Sequence, residues 1–328
     1  MTEKKNPQTK APGKAFRKGM TIVELIRRFP DDATAEAWIA SIRWPDGPEC
    51  PRCGCTNVQT PTAHKTMPYR CRGNGCRRFF SVKVGTVMQD SKLGYQEWAI
   101  AIYLYNTNLK SVSSMKLHRD LGICQKSAWH LAHRVRQCWD DLAGEPFDGS
   151  EGVEVDEAYF GGKAHNMSAR QRRDRIHGRG VAGKTPVVAI KDRATNAVRA
   201  TVVEATDKAT LQGFVTDHAG VDAMVYTDEH GSYRGLPKHR SVRHSVGQYV
   251  DGMAHVNGCE SFWSMLRRGY HGTFHHVSAE HLDRYVQEFA GRHSRRSMDT
   301  IDMMADTVRG MVGKQLTYTD LVAAGPGS

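Results

Sequence analysis

The chain has 328 residues, 39% hydrophobic and 25% charged, with a net charge of +11 and a pI near 9.3, a composition that fits a globular chain of two or three domains and excludes a disordered or collagenous one. No run approaches the ~18 apolar residues of a membrane span and the Lys-rich start lacks a signal-like apolar stretch, so a cytoplasmic protein with no membrane partner is expected. The positive charge favours a polyanion, nucleic acid first, because Lys and Arg that neutralise phosphates release counterions.

Residues 1–18 are basic, contain proline and lack apolar periodicity, so they are expected to be a disordered arm. Ile22, Leu25, Ile26 and Phe29, then Ala37, Trp38 and Ile42, predict two short amphipathic helices broken at FPDD. A small strand-and-turn module follows, and residues 19–90 are taken as one region of short helices and ribbon. Five of the eight cysteines lie between Cys50 and Cys76. Cys50-x2-Cys53 and Cys71-x4-Cys76 form two knuckles whose four thiolates can surround one tetrahedral zinc, in place of the core so short a segment lacks. Cys55 offers a third donor on the first side and can replace Cys53, although its spacing points it away. Four cysteines leave no open coordination position, so the zinc is structural.

Residues 91–140 are expected to be helical and to include a helix-turn-helix. Val112, Met115 and Leu117 mark its first helix, Leu121-Gly122-Ile123 its turn, and Ala128, Leu131 and Val135 its second helix. That second helix would expose Gln125, Lys126, Trp129, His133, Arg134 and Arg136 to a DNA groove, with Lys126 and Arg134 as candidate contacts. Residues 141–152, acidic with Gly and Pro, are expected to be a linker. Beyond them strands are predicted at 153–160, 185–192, 197–205 and 223–228, with a helix at 208–219 and helix again over 256–292. Strands in succession and then alternating with helices argue for an α/β domain with a mixed sheet over residues 153–297. Residues 298–328 are expected to be a C-terminal tail.

Acids interrupt this pattern where apolar residues belong. Asp156 sits inside the strand VEVDEAYF, and Asp228 ends the strand AMVYTD. Acids at the ends of neighbouring strands put carboxylates where ligands of an α/β sheet gather. Glu260 begins a helix on which Ser264 and Arg267 recur on one face. Three such carboxylates can hold two Mg²⁺ ions, which suit oxygen ligands and promote phosphodiester displacement. Glu157, Glu229 and Asp251 are competing acids. From Lys163 to Lys184 there are seven Lys or Arg against one acid, Asp174. Lys163, Arg170, Arg172, Arg173 and Arg175 in that stretch are candidate phosphate contacts. Glu154, two residues before Asp156 on the same face, has no assigned role.

The order of CPRC…YRC…CRRFFSVKVGTVM, LHRDLGICQKSAWHLAHRVR, VEVDEAYFGGK, GRGVAGKTPVVAI, VYTDEHGSY and HVNGCESFWSMLRRGYHG resembles the bacterial insertion-sequence transposases that carry an N-terminal zinc ribbon and a DDE core, the ISXO-like group. The resemblance covers roughly residues 20–295 and implies an RNase H-like mixed sheet, preceded by a zinc ribbon and a helix-turn-helix region. It implies that Asp156 and Asp228 are the first two metal-binding acids and Glu260 the third, with Arg267 the basic residue seven positions on. Some members use Asn in the third role, and Asn257 stands one helical turn before Glu260. Glu260 is preferred because an anion holds Mg²⁺ better than an amide.

The implied function is DNA transposition: binding of element ends, Mg²⁺- or Mn²⁺-dependent strand cleavage, and transfer by the freed 3′-hydroxyl. The implied partners are double-stranded DNA, as terminal inverted repeats and as target, and further copies of the chain on that DNA, with nucleoid association when bound. The alternatives are a catalytically silent zinc-ribbon and helix-turn-helix DNA-binding protein, or a nuclease that cuts without joining. Two features depart from the group: the four-residue spacing of the second cysteine pair, and His293 where an Asn is expected.

Overall fold

A computed structural model describes residues 17–139, 142–161, 168–170, 173, 183–241 and 255–323. The chain divides into two compact units, residues 12–139 with 298–328, and residues 140–297. Lys163, Arg172, Arg175 and residues 1–16 of the expected basic arm lie outside the described residues. Among the described residues, no helix is long and apolar enough to cross a membrane.

In the first unit, α1 (Ile22–Arg28) starts at a reciprocal cap in which Thr21 and Glu24 satisfy each other's backbone N–H groups. Phe29 breaks it, and α2 (Asp32–Arg43) restarts on the Asp31 side chain. Three short antiparallel strands, β1 (Val58–Gln59), β2 (Tyr69–Cys71) and β3 (Phe79–Phe80), make the cysteine module. Helix α3 (Tyr95–Thr107) is buried on almost every side, with Trp98, Ile102 and Tyr105 fully enclosed. Helices α4 (Ser114–Leu121) and α5 (Gln125–Arg136) follow, joined through Gly122 in the left-handed region. That conformation, cheap only for glycine, lets the chain reverse within three residues.

The described part of the expected tail, residues 298–323, instead belongs to this unit. Helix α9 (Thr300–Arg309) packs on α2 and α3, and Met304, Val308 and Met311 complete the core around Trp98 and Leu131. Helix α10 (Tyr318–Ala323) lies on α5.

The second unit is a five-stranded mixed sheet. Its strands are β4 (Val153–Phe160), β5 (Thr185–Asp192), β6 (Val198–Val202), β7 (Val225–Thr227) and β8 (His239–Ser241), in the order β6-β5-β4-β7-β8. The β4–β5–β6 meander is antiparallel, whereas β4–β7 and β7–β8 are parallel. Strand β8 was not anticipated, because His-Arg-Ser carries no apolar alternation. Helix α6 (Lys208–His218) covers one face, where Val153, Val155, Val188 and Ile190 meet Leu211 and Val215. Helices α7 (Asn257–Gly269) and α8 (Ala279–Ser294) cover the other, where Ala158, Phe160, Val187 and Ala189 meet Phe262, Leu266 and Phe289.

The described part of the expected linker, residues 142–152, belongs to this unit rather than bridging to it. The Phe147 N–H donates to the His218 carbonyl at 2.8 Å, and Leu142 and Phe147 pack into the α6-side core. Gly149 (φ +64°) lies so close to Ala223 that a Cβ would sit 2.3 Å from the Ala223 side chain. Gly149 therefore serves close packing, not flexibility.

Candidate functional site

Strand β4 sorts its side chains by the two-residue period. Val153 and Val155 enter the α6-side core, while Glu154, Asp156, Ala158 and Phe160 face α7. Asp156 is anchored there: Oδ2 accepts from the Trp263 indole at 3.0 Å and Oδ1 from the Glu157 N–H at 2.9 Å. Asp228 follows β7. The parallel ladder matches Val153 with Val225 and Glu154 with Tyr226. Thr227 ends β7 and Asp228 follows it, near enough to Asp156 for its charge to act on that carboxyl. Asp228 Oδ1 accepts from the His230 N–H at 2.9 Å, which fixes the turn after the strand.

These acids repel one another. Burial, with the charges of Asp228 and Glu157, pushes the Asp156 carboxyl up to about 7. Glu157 is also pushed up, first by burial and then by Asp228, while its Oε2 accepts from the Tyr233 hydroxyl at 2.9 Å. Carboxylates crowded in this way are under-neutralised, a condition that a bound divalent cation relieves.

A cleft of about 560 Å³ opens on this cluster, lined by Asp156, Glu157 and Glu260 together with Trp263, Arg267 and Arg268. Glu260 and Arg267 thus face Asp156 across one opening. Asn257 is exposed and does not line the cleft, and neither does Asp228. Trp263 is the residue the sequence reading missed. As an apolar helix position it reads as core, and only the tertiary contact shows its N–H on Asp156.

The cysteine cluster brings together the Cys50, Cys53, Cys71 and Cys76 sulfurs, all within 4.8 Å of one another. Cys50–Cys76 and Cys53–Cys71 are 3.8 and 3.6 Å apart. Bonds of ~2.3 Å in a tetrahedron give sulfur–sulfur edges of about 3.8 Å, so the donor set fits zinc. Cys55 stands outside this group, with its sulfur 3.9 Å from the Asn57 carbonyl. The longer second knuckle closes through Gly75 and Arg77, both at positive φ.

The helix α5 expectation needs correction. His133, Arg134 and Arg136 are 0%, 7% and 2% exposed. The Arg134 Nε donates to the Leu316 carbonyl at 3.0 Å, and the Arg136 guanidinium lies 5.4 Å from the Tyr105 ring centre. Arg134 is therefore a structural group in a buried contact and not a side chain presented to DNA. Gln125 and Lys126 remain exposed, with the Lys126 ammonium 4.1 Å from the Tyr318 ring centre. Arg170 and Arg173 are exposed. His293 is buried with its ring edge-on to Phe262 at 5.8 Å, and burial beside Arg296 and Lys191 pushes its pKa down to about 2. It is a core residue of α8.

Residues 148–293 match the family model of the ISXO2-like transposase domain, and residues 30–78 match that of the transposase zinc-ribbon domain. A protein of Halobacterium salinarum, described as an uncharacterized protein in transposable element ISH50, is 28% identical over 280 residues. The match spans 80% of this chain and 91% of that protein. No solved structure matches the chain. The matched segments contain Asp156, Asp228, Glu260 and the four clustered cysteines, but not α3 to α5.

Proposed function

The chain belongs to the ISXO2-like transposases with an N-terminal zinc ribbon, and from that premise we propose that it cuts and joins DNA at the ends of an insertion sequence with Mg²⁺ or Mn²⁺. One observation carries the reading: Asp156, whose carboxyl feels the charge of Asp228, shares a cleft with Glu260 and Arg267. The strand order, with a three-stranded antiparallel meander beside two parallel strands, supports an RNase H-like core.

Asp156, Asp228 and Glu260 would hold the metal, and the exposure of Asn257 away from the cleft favours Glu260 as the third ligand. When bound, the metal supplies Lewis-acid activation of water or a 3′-hydroxyl and stabilises the leaving oxygen. The protein's own groups do the positioning. Trp263 orients Asp156, and Arg267 and Arg268 on the same helix offer charge to the phosphates beside the scissile bond. Zinc would hold the ribbon rigid through Cys50, Cys53, Cys71 and Cys76. Lys126, Arg170 and Arg173 are the exposed candidates for DNA backbone contact, and two ends handled together call for more than one copy of the chain.

The test begins with the DNA flanking the gene, searched for inverted repeats bracketed by a short direct duplication. A duplex carrying those repeats, incubated with protein, Mg²⁺ and a target plasmid, should yield a joined strand-transfer product. Cut ends that never join would favour a nuclease, and binding without any cut would favour a catalytically silent DNA-binding protein.

A further inference from the structure

Helix α7 has no cap of its own. Its N-cap residue is Val256, whose side chain cannot accept a hydrogen bond, so the N–H groups of its first turn need another partner. That partner comes from β4. Glu154 Oε2 accepts from the Gly258 N–H at 2.7 Å and from the Cys259 N–H at 3.2 Å. The Cys259 thiol points back to the Glu154 carbonyl at 3.4 Å. Oε1 takes the Arg193 Nε at 3.0 Å and lies 3.2 Å from the His255 Nδ1. Lys191, directly across the ladder from Glu154, brings its ammonium to the same place. Gly258 leaves the room for this: a Cβ there would lie 2.6 Å from both Glu154 Oε2 and the Lys191 nitrogen.

We propose that Glu154 is a positioning residue for the catalytic cleft, clamping the N-terminus of α7 so that Glu260 stands opposite Asp156. The proposal rests on the reading of that cleft as a metal site. Its geometric basis is that α7 is tied to β4 at two points, Gly258 and Cys259 to Glu154, and Trp263 to Asp156. Five helical residues rise about 7.5 Å, and two strand residues advance about 6.6 Å. The two ties therefore hold the helix nearly along the strand. Glu260 lies between them, so its height above the sheet is set by both. A buried carboxylate among cations is a costly way to gain stability alone, since apolar packing of equal volume serves as well. Its directional acceptors are what the helix end requires.

The test uses the full chain, with Glu154→Gln, Glu154→Ala and Asp156→Asn as variants. Hydrogen exchange is followed on peptides spanning residues 255–266, and Mn²⁺ is titrated by water-proton relaxation. Losing the cap should speed exchange at Gly258 and Cys259 by roughly tenfold in Glu154→Ala. Mn²⁺ binding should weaken several-fold, with the zinc content and the melting of the other unit unchanged. Glu154→Gln keeps one acceptor oxygen and should restore part of both effects. Unchanged exchange in Glu154→Ala overturns the clamp. Faster exchange with undiminished Mn²⁺ binding reduces Glu154 to a structural role and overturns its effect on the cleft. Mn²⁺ binding that is equal in wild type and Asp156→Asn overturns the metal reading and the positioning role with it. That failure is distinguishable, because exchange at Gly258 and Cys259 would still respond to Glu154→Ala.

Discussion

Asp156 is held in two opposing ways. Trp263 and the Glu157 N–H favour its ionised form, while burial and the charges of Asp228 and Glu157 oppose it, and the opposition prevails, raising its carboxyl to about 7. An acid with a raised folded-state pKa binds more protons folded than unfolded between its ordinary value of 3.8 and the raised one. Stability is therefore greatest below that window and falls as pH rises towards 7. Without Mg²⁺ or Mn²⁺, wild-type thermal stability should fall between about pH 4 and 7. Asp156→Asn, whose amide oxygen can still accept from Trp263, should melt higher than wild type at pH 8 and not at pH 4. Calorimetry at three pH values checks this, and a pH-independent difference would refute the charge crowding. The period-two alternation exposed Asp156 as an anomaly in the sequence. It could not show Glu154 reaching a helix a hundred residues away, because that partner is set only by tertiary packing.

At the scale of elements, helix α5 shows where charge misleads. A run such as HLAHRVRQ reads as a solvated basic face, and its periodicity places the helix correctly. What covers the helix comes from residues about 180 positions later, where Leu316 meets Arg134 and Tyr318 meets Lys126. Arg134→Ala should therefore cost stability, about 2 kcal/mol for a buried charged donor lost from its acceptor. Lys126→Ala should leave the melting point almost unchanged and weaken DNA binding with a shallower salt dependence. Melting curves alongside binding at two salt concentrations separate the two. An Arg134→Ala protein of native stability with weakened DNA binding would restore Arg134 as a contact. The zinc ribbon was legible for the opposite reason: its constraint is local, two knuckles of fixed spacing around one tetrahedral site.

For the whole molecule, chain order and compact units diverge. The segment after residue 297 returns to the N-terminal unit, where Met304, Val308 and Met311 are buried with Trp98 and Leu131. Sequence periodicity marks such a segment as helical but not as core, since its apolar face is matched only by residues 200 positions earlier. Deletion of residues 298–328 should expose that face. The truncated chain should lose melting temperature in the N-terminal unit and self-associate, as seen by calorimetry and light scattering. A monomeric truncation of unchanged stability would contradict the packing.

The central claim is that Asp156 and Asp228 perform metal-dependent DNA chemistry, and cleavage by Asp228→Asn beside wild type tests it most directly. Both proteins are given the same end-bearing duplex and Mg²⁺, with binding followed by gel shift in parallel. The account predicts end binding within about twofold of wild type, because Asp228→Asn removes no cation that holds the phosphates, and cleavage reduced by roughly 10³-fold or more. Near-normal cleavage by Asp228→Asn would contradict it.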